Sequence, residues 1–261
     1  MNILDEIVLQ KHREVERCKT SLSIRQLELS IYFKRKTFSL RDFLLDNKRV
    51  GIIAEFKRKS PSKGIINATA QVGQVAREYY EAGVSGISVL TDEKYFGGSR
   101  EDLMLVREKV KCPILRKEFI IDEYQIIEAK SIGADAILLI AASLSNQQMK
   151  QFCKLAKSLA LDVLLEVHNE EELNQSLDVG ADLIGVNNRD LKTFQVSIEI
   201  SKSLIQKIPK SVPAVSESGI ENPSTIKELK QIGYSGFLIG QSFMQTNDPG
   251  AACLDFIKSL D

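Results

Sequence analysis

The feature that most constrains the fold of this chain is a regular alternation of short apolar runs with longer segments of helical period. Eight apolar, β-branched runs predict strands: Val50–Phe56, Gly86–Leu90, Pro113–Arg116, Ala136–Ala141, Val163–Val167, Leu183–Val186, Val212–Val215 and Gly236–Ile239. Strands that alternate with helices are typical of a parallel sheet joined by crossover helices. Eight such units in one series favour a closed (β/α)8 TIM barrel, an α/β fold, over an open doubly wound sheet.

The segments between these runs have apolar residues at helical spacing. They are Gln71–Ala82, Ser99–Val110, Glu123–Ile132, Asn146–Ala160, Glu170–Val179, Ile198–Ile208, Ser224–Ile232 and Gly250–Leu260. Predicted N-caps are Asp122, Ser145, Asn169 and Asn222. Glycines that favour a left-handed C-cap follow at Gly83, Gly133, Gly180 and Gly233.

The first 49 residues precede this alternation and have a different pattern. Residues 1 to about 19 place apolar side chains among charges at helical spacing, which predicts an amphipathic helix, and Phe38–Leu44 predicts a short second one. We interpret residues 1–49 as a helical extension packed as a lid or plug on a catalytic barrel of residues 50–261. No linker separates the two parts, so we expect one structural domain.

Composition excludes several classes of function. Lys plus Arg and Asp plus Glu number 35 each, so the chain has no net positive charge that would attract nucleic acid or an anionic membrane. Four cysteines and two histidines are scattered without the spacing of a zinc site or a disulfide framework. No apolar run reaches membrane-spanning length and no signal-peptide pattern opens the chain, so we expect a cytoplasmic protein. We expect a monomer, with a weak homodimer as the alternative.

Polar side chains converge where the predicted strands end, and in such a barrel this edge carries the active site. Glu55 and Lys57 alternate onto one face at the end of the first strand. The third, fifth, sixth and seventh strands end with Lys117, Glu166, Asn187 and Glu217. Charges at a buried rim are costly unless they are paired or bind a ligand, which favours a catalytic or binding site.

The same residues also have structural interpretations. Glu55 and Lys57 could be an ion pair in a charged surface loop. The alternation of side chains along the third strand does not by itself decide whether Lys117 points inward. Glu166 lies inside the apolar run Val163–Val167, which favours a functional role. Asn187 and Arg189 could order a loop, and we interpret His168 as a rim or helix-entry residue. Lysines between the carboxylates would compete with a divalent ion, so we predict no metal and no cofactor.

A phosphate site is predicted separately. Loops after the seventh and eighth strands of such barrels frequently hold phosphate through backbone N–H groups and a short helix. Ser218-Gly219 and Gly240-Gln241 fall at these two places, and Ser60 lies in the hydroxyl-rich loop after the first strand. We therefore expect a small, phosphorylated substrate.

Several motifs together resemble the indole-3-glycerol phosphate synthase family, in its monofunctional form. They are Ile53-Ala54-Glu55-Phe56-Lys57-Arg58-Lys59-Ser60-Pro61-Ser62-Lys63-Gly64, Leu115-Arg116-Lys117-Glu118-Phe119-Ile120, Leu165-Glu166-Val167-His168, Ile184-Gly185-Val186-Asn187-Asn188-Arg189-Asp190-Leu191 and Ser216-Glu217-Ser218-Gly219-Ile220. The resemblance covers essentially the whole chain. It implies a carboxy-lyase of tryptophan biosynthesis that converts 1-(2-carboxyphenylamino)-1-deoxyribulose 5-phosphate to indole-3-glycerol phosphate without a cofactor.

The resemblance also implies roles for individual residues. Lys117 would protonate the developing alkoxide, and Glu166 would be the base of the dehydration. Lys57, oriented by Glu55, would hold the substrate carboxylate and then protonate the departing hydroxyl, although the order in which the two lysines act stays open. Asn187 and Glu217 would bind sugar hydroxyls, and Arg189 would shape the loop. Phosphate contacts would come from Ser60, Ser218, Gly219, Gly240 and Gln241, and ring contacts from Phe96, Phe119 and Leu138.

Other phosphate-binding barrels remain as alternatives. A sugar-phosphate isomerase would be expected to offer a Cys or Asp acid–base pair where this chain has Glu55 and Lys57. A Schiff-base aldolase would form an imine through a buried lysine. A non-catalytic sensor or scaffold barrel would bind the metabolite without turnover and would not need Lys57, Lys117 and Glu166 together.

Overall fold

Eight parallel strands close on themselves in this computed structural model, which describes residues 3–191 and 193–260. The strands are β1 Ile52–Phe56, β2 Gly86–Leu90, β3 Ile114–Lys117, β4 Ala136–Ile140, β5 Asp162–Val167, β6 Leu183–Asn187, β7 Ala214–Glu217 and β8 Gly236–Ile239. Each strand pairs with its neighbours along the chain, and β1 pairs with both β2 and β8. The predicted (β/α)8 barrel is therefore confirmed.

Helices follow the strands and surround the barrel. Their bounds are α1 Ile3–Ser21, α2 Ile24–Glu28, α3 Leu40–Leu45, α4 Val72–Glu81, α5 Glu93–Phe96, α6 Arg100–Lys109, α7 Glu123–Ser131, α8 Asn146–Ser158, α9 Glu170–Ser176, α10 Glu199–Leu204, α11 Pro223–Ile232, α12 Gln241–Met244 and α13 Pro249–Lys258. Short 3-10 turns cover Ala141–Ser143 and Ile205–Lys207. The short helices α2, α5 and α12 and a small hairpin of Lys59–Ser60 with Gly64–Ile65 were not predicted. Helices of four or five residues carry too little periodicity to be recognised in the sequence.

The boundaries of the longer helices follow local chemistry. Ser145 and Asn169 accept hydrogen bonds from the backbone N–H groups of Gln148 and Glu172, as N-caps do. Asn222 occupies an N-cap position but makes no side-chain capping bond. The four glycines predicted to end helices all have positive φ angles. Most predicted elements therefore start and stop within a few residues of the observed ones.

The extension reaches the N-terminal end of the barrel through α3. Leu40 and Leu44 project into the apolar barrel interior together with strand residues such as Leu138. A Cβ atom built on Gly86 would lie 2.8 Å from Leu40 Cδ1, so glycine at the start of β2 makes room for this plug. Ser39 and the backbone N–H of Arg41 donate to Asp162 at the start of β5, which fixes α3 in place.

The extension also reaches the opposite end through α1. Leu4 and Ile7 are buried there, and Lys11 occupies the next position of the same helical stripe. The Lys11 ammonium is almost fully buried, and it lies 2.8 Å from Asp92 Oδ2 and 3.0 Å from Glu118 Oε1. Residues 1–49 were predicted as one packed extension; Met1 and Asn2 lie outside the described residues, as do Lys192 and Asp261 of the barrel range.

No helix within residues 3–191 and 193–260 combines the length and the apolar character needed to cross a membrane.

Candidate active site

A cavity of about 470 Å³ opens at the C-terminal ends of the strands. All but one of the predicted site residues line it: Glu55, Lys57, Ser60, Phe96, Lys117, Phe119, Glu166, Asn187, Arg189, Glu217, Ser218, Gly219, Gly240 and Gln241. They come from most of the barrel strands, and the N-terminal helix α1 adds Ile3, Leu4 and Ile7 to the wall. The cavity thus combines a charged floor with apolar sides, as ligand sites generally do.

The centre of the floor is the Lys117 ammonium. Its Nζ lies 2.8 Å from Glu166 Oε2 and 2.7 Å from Glu217 Oε2, so one cation bridges two carboxylates from β5 and β7. Burial alone would lower the pKa of Lys117, but attraction to Glu166, Glu217 and Glu55 outweighs it and raises the pKa well above its usual value. Lys117 is therefore a fixed, fully protonated group.

The two carboxylates beside Lys117 differ in their surroundings. Burial would raise the pKa of Glu166, but Lys117 and His168 hold it well below its usual range. For Glu217, burial and repulsion by Glu166 outweigh Lys117 and raise the pKa to about 7. Glu217 Oε1 is buried and has no hydrogen-bond partner among the described residues. The site therefore offers one ionised carboxylate and one that titrates near neutral pH.

Close packing holds Glu217 in this position. A Cβ atom built on Gly185 of β6 would lie only 2.3 Å from Glu217 Oε1. Any larger residue at position 185 would therefore displace the carboxylate, which explains a glycine inside a buried strand.

A second ion pair lines the same cavity. Lys57 Nζ donates to Glu55 Oε1 at 2.6 Å, and Glu55 is almost completely buried. A Cβ atom on Gly240 would lie 2.8 Å from Glu55 Oε1, so the glycine after β8 lets this carboxylate approach the backbone. The Glu55–Lys57 pair thus belongs to the cavity floor rather than to a surface loop.

Asn187 and Arg189 link the floor to the loop that follows β6. Asn187 Nδ2 donates to Glu166 Oε1 at 3.2 Å, while its Oδ1 accepts from the backbone N–H of Arg189. The Arg189 guanidinium donates to the carbonyl of Phe194 at 3.1 Å, and burial lowers its pKa. Asn187 therefore contacts the carboxylate directly, whereas Arg189 braces the loop and also lines the cavity.

Aromatic side chains form one wall. The rings of Phe96 and Phe119 lie 5.9 Å apart and are tilted by 38°, and both line the cavity as apolar side chains. The remaining predicted ring contact, Leu138, does not line the cavity but packs in the barrel interior with Leu164. Ile140, two residues later on β4, lines the cavity instead. Both point inward because side chains alternate along a strand, and only the later one reaches the mouth.

The predicted phosphate loops lie side by side on the cavity rim. Ser218 and Gly219 after β7 both have positive φ angles, of 66° and 75°, and Asn188 Nδ2 supports the turn by donating to the Ser218 carbonyl at 3.0 Å. Gly240 precedes the short helix α12, which begins at Gln241. Ser60, from the loop after β1, lines the same cavity.

Two buried charges near the floor were not recognised from the sequence. His168 Nε2 lies 3.2 Å from Glu166 Oε1, and its Nδ1 lies 3.0 Å from Glu172 Oε2, so the residue contacts the carboxylate cluster as well as the start of α9. Lys11 holds α1 beside Glu118, the residue after Lys117. Its position on the apolar stripe of α1 was the signal that could have predicted burial.

Other lining residues, Leu191, Phe194 and Val196 from the loop after β6, were missed. Pro61, Ser62 and Lys63 line the cavity as well and belong to the loop after β1 that was predicted to hold an anion. Irregular loops lack the periodicity that would have assigned their side chains to a face. Within the part of the chain that the structure describes, no three His, Cys, Asp or Glu side chains are arranged to hold a metal ion.

Comparisons with known proteins connect this site with one enzyme family. Residues 4–256 match the family model described as indole-3-glycerol phosphate synthase. A protein of that name from Bacteroides thetaiotaomicron is 45% identical over 259 residues, which cover 99% of each chain. Another from Caldanaerobacter subterraneus is 45% identical over 258 residues, covering 99% of this chain and 98% of the relative.

A solved structure supports the fold alone. Thiamine phosphate pyrophosphorylase from Pyrococcus furiosus superposes with a TM-score of 0.60 over 85% of this chain and 99% of that one. Its sequence is only 17% identical, so the likeness extends to the barrel and not to the chemistry.

Proposed function

This chain belongs to the indole-3-glycerol phosphate synthase family, and we propose from that premise that it converts 1-(2-carboxyphenylamino)-1-deoxyribulose 5-phosphate to indole-3-glycerol phosphate. It is an enzyme, a carboxy-lyase of tryptophan biosynthesis. The proposed reaction joins an aromatic ring carbon to the substrate ketone and releases CO₂ and water. One observation carries the proposal: a buried ammonium, Lys117, is held between two carboxylates on the floor of a cavity with apolar walls.

Ring closure creates negative charge that Lys117 is suited to neutralise. As the ring carbon attacks, the ketone oxygen becomes an alkoxide, and Lys117 gives it a proton. The raised pKa of Lys117 does not prevent this step, because an alkoxide is a far stronger base than an amine. Loss of CO₂ then leaves its bonding electrons in the ring and restores aromaticity.

Dehydration requires a base that removes a proton from the closed ring and an acid that protonates the departing hydroxyl. Glu166 is ionised and can take the ring proton. Lys57, held by Glu55, can bind the substrate carboxylate and later give a proton to the departing hydroxyl. Lys57 and Lys117 both line one cavity, so the two lysines can serve two steps without a movement of the barrel strands.

The remaining lining residues match the rest of this substrate. Phe96 and Phe119 offer an aromatic wall for the anthranilate ring, and Asn187 and Glu217 offer polar atoms to the sugar hydroxyls. The rim at Ser218-Gly219 and Gly240-Gln241, together with Ser60, is suited to the phosphate. We also propose that residues 1–49 and the barrel form one structural domain, because α1 and α3 pack on its two ends.

The test is a fluorescence assay with purified protein and the carboxyphenylamino substrate, in a buffer with EDTA. We expect indole fluorescence to grow with time and to be lost in Glu166→Gln. Folded protein that binds the substrate without producing this signal would contradict the proposed reaction.

Sedimentation of the active enzyme tests our further proposal that the monomer is the working form, since one chain supplies the whole cavity described here.

The same protein and substrate can be used to test for a Schiff-base mechanism. Imine formation needs a neutral lysine, whereas ion pairs hold Lys117 protonated. We therefore expect borohydride to trap no covalent adduct with the substrate, and a stable adduct at Lys117 would indicate an aldolase-type reaction.

A further inference from the structure

His168 is a buried, charged residue that the proposed reaction leaves without a role. It follows β5 directly and lies two residues after Glu166. Its ring lies between two carboxylates, because Nε2 is 3.2 Å from Glu166 Oε1 and Nδ1 is 3.0 Å from Glu172 Oε2. The side chain is only 9% exposed, so water does not separate these groups.

Carboxylates close to both ring nitrogens favour a protonated His168 ring. A neutral imidazole has a proton on one nitrogen only and would turn the lone pair of the other nitrogen toward a carboxylate. Burial would lower the pKa of His168, but Glu166 and Glu172 outweigh it and raise the pKa to about 10. The Nε2 contact with Glu166 has the distance of an ion pair without the angle of a hydrogen bond.

Glu172 is rigidly held as the outer partner of this ring. Its Oε2 accepts the backbone N–H of His168 at 2.8 Å in addition to Nδ1, and its Oε1 accepts from Asn169 Nδ2 at 2.7 Å. Three donors thus fix the carboxylate at the first turn of α9. A ring pinned on its Nδ1 side has little freedom to turn away from Glu166.

Resting on the proposed function, we propose that His168 is a positioning residue: an imidazolium held between Glu172 and Glu166 that keeps the Glu166 carboxylate ionised and directed at Lys117. The charged groups facing Glu166 are Lys117 from β3, Glu217 from β7 and His168 itself, with Glu55 beyond Lys117. Two cations oppose the repulsion from Glu217. The base therefore stays unprotonated at pH values where its carboxylate neighbour takes up a proton.

The kinetic test is the pH profile of His168→Gln beside that of His12→Gln. His12 is the other histidine of the chain; it is exposed on α1 and does not line the cavity. Removing the imidazolium raises the pKa of Glu166, so we expect the acid limb of log kcat/KM to move upward by about one pH unit in His168→Gln. This corresponds to an activity deficit of about tenfold at low pH that narrows as pH rises. His12→Gln should match the wild type.

A direct measurement does not depend on turnover. In His12→Gln, His168 is the remaining histidine, so its ring proton signals can be followed by NMR through a pH titration. We expect the signals to keep imidazolium shifts through pH 8, and Glu172→Gln and Glu166→Gln each to move the titration to lower pH. If His168→Gln does not fold, this titration still decides the proposal.

Each outcome separates the two proposals. A wild-type enzyme that makes no indole product would refute the proposed function. The NMR titration would still show whether the His168 ring is charged between Glu166 and Glu172. The inference would be overturned by an unshifted acid limb in a folded His168→Gln, or by a His168 ring that is neutral at pH 7. Either result would leave His168 with only a structural role at the start of α9.

Discussion

Two clusters of buried charge lie at opposite ends of the barrel, with opposite signs at their centres. At the C-terminal end, the Lys117 cation bridges the carboxyl groups of Glu166 and Glu217. At the N-terminal end, the Asp135 anion bridges the Arg107 and Arg35 cations, with contacts of 2.6 and 2.5 Å. By sequence and by burial alone the two clusters look alike.

They differ in how completely the central groups are bonded. Asp135 Oδ1 also accepts from the backbone N–H of Phe38, and Oδ2 from that of Ile114, so both oxygens are fully used. Arg35 Nε is unpartnered, but the other nitrogens of this guanidinium bind protein oxygens. At the other end Glu217 Oε1 lacks a partner and the cluster borders a cavity of about 470 Å³.

Buried ion pairs by themselves therefore do not identify an active site. A cluster whose central carboxylate is fully bonded ties elements together, here the extension, α6 and the starts of β3 and β4. A cluster with an unused acceptor and adjoining space can bind and exchange protons with a ligand. The comparison predicts loss of turnover at one end and loss of stability at the other.

The largest effect is expected from Lys117→Met. Removing the ammonium takes away the proposed acid, so kcat should fall by about 10²- to 10⁴-fold. The fold should persist, because Glu166 and Glu217 can share a proton once the cation is gone. Steady-state kinetics and far-UV circular dichroism measure the two parts, and normal turnover would remove Lys117 from the mechanism.

The opposite end is tested by Asp135→Asn. The change leaves Arg107 buried without its counter-ion, so the free energy of unfolding should fall by about 3–5 kcal/mol. Activity per folded molecule should be close to normal. Urea unfolding followed by circular dichroism is the measurement, and Arg77→Gln, which breaks an exposed pair with Glu81, is the matched control. An inactive but stable Asp135→Asn would break the comparison.

A smaller contrast lies within one strand. Leu138→Ala removes a side chain from the barrel interior and should lower the free energy of unfolding by about 2–5 kcal/mol with KM little changed. Ile140→Ala alters the cavity wall and should raise KM with a smaller loss of stability. Unfolding and kinetics on both variants decide whether Leu138 contacts the substrate, as the sequence suggested.

The subtlest effect concerns pH. The folded-state pKa of Glu217 is raised to about 7, so the unfolded chain gives up this proton first as pH rises. The contribution of Glu217 to stability is therefore fully present at pH values below the ordinary pKa of a carboxyl group, and it is lost as the pH rises through about 7. Glu217→Gln does not titrate, so we expect its stability relative to wild type to increase from pH 4.5 to pH 8 in guanidinium unfolding. A pH-independent difference would contradict the raised pKa.

Much of the fold could be predicted from the sequence because it follows local rules. The apolar runs, the helical periods and the glycine C-caps placed eight strands and their helices within a few residues. The carboxyl ends of parallel strands share one edge, so Glu55, Lys57, Lys117, Glu166 and Glu217 could be assigned to one mouth from their positions alone. Resemblance in the motifs then suggested the chemistry.

Other features depend on contacts between distant parts of the chain. Leu138 and Ile140 follow the same alternation, and only the depth of the barrel decides which one reaches the cavity. Lys11 is buried because Asp92 and Glu118 from other loops meet it, and His168 faces Glu166 because α9 holds its ring. No local pattern encodes these distances.

The alternation of strands and helices, the edge at which polar residues gather and the residue types available there all follow from the order of residues along the chain. Folding sets which buried charges bind one another completely and which keep an unpaired atom beside the cavity. The physical reason is that side-chain period and capping act within a few residues, whereas burial and ion pairing, which set the pKa of Glu217 and the charge of His168, depend on groups that only folding brings together.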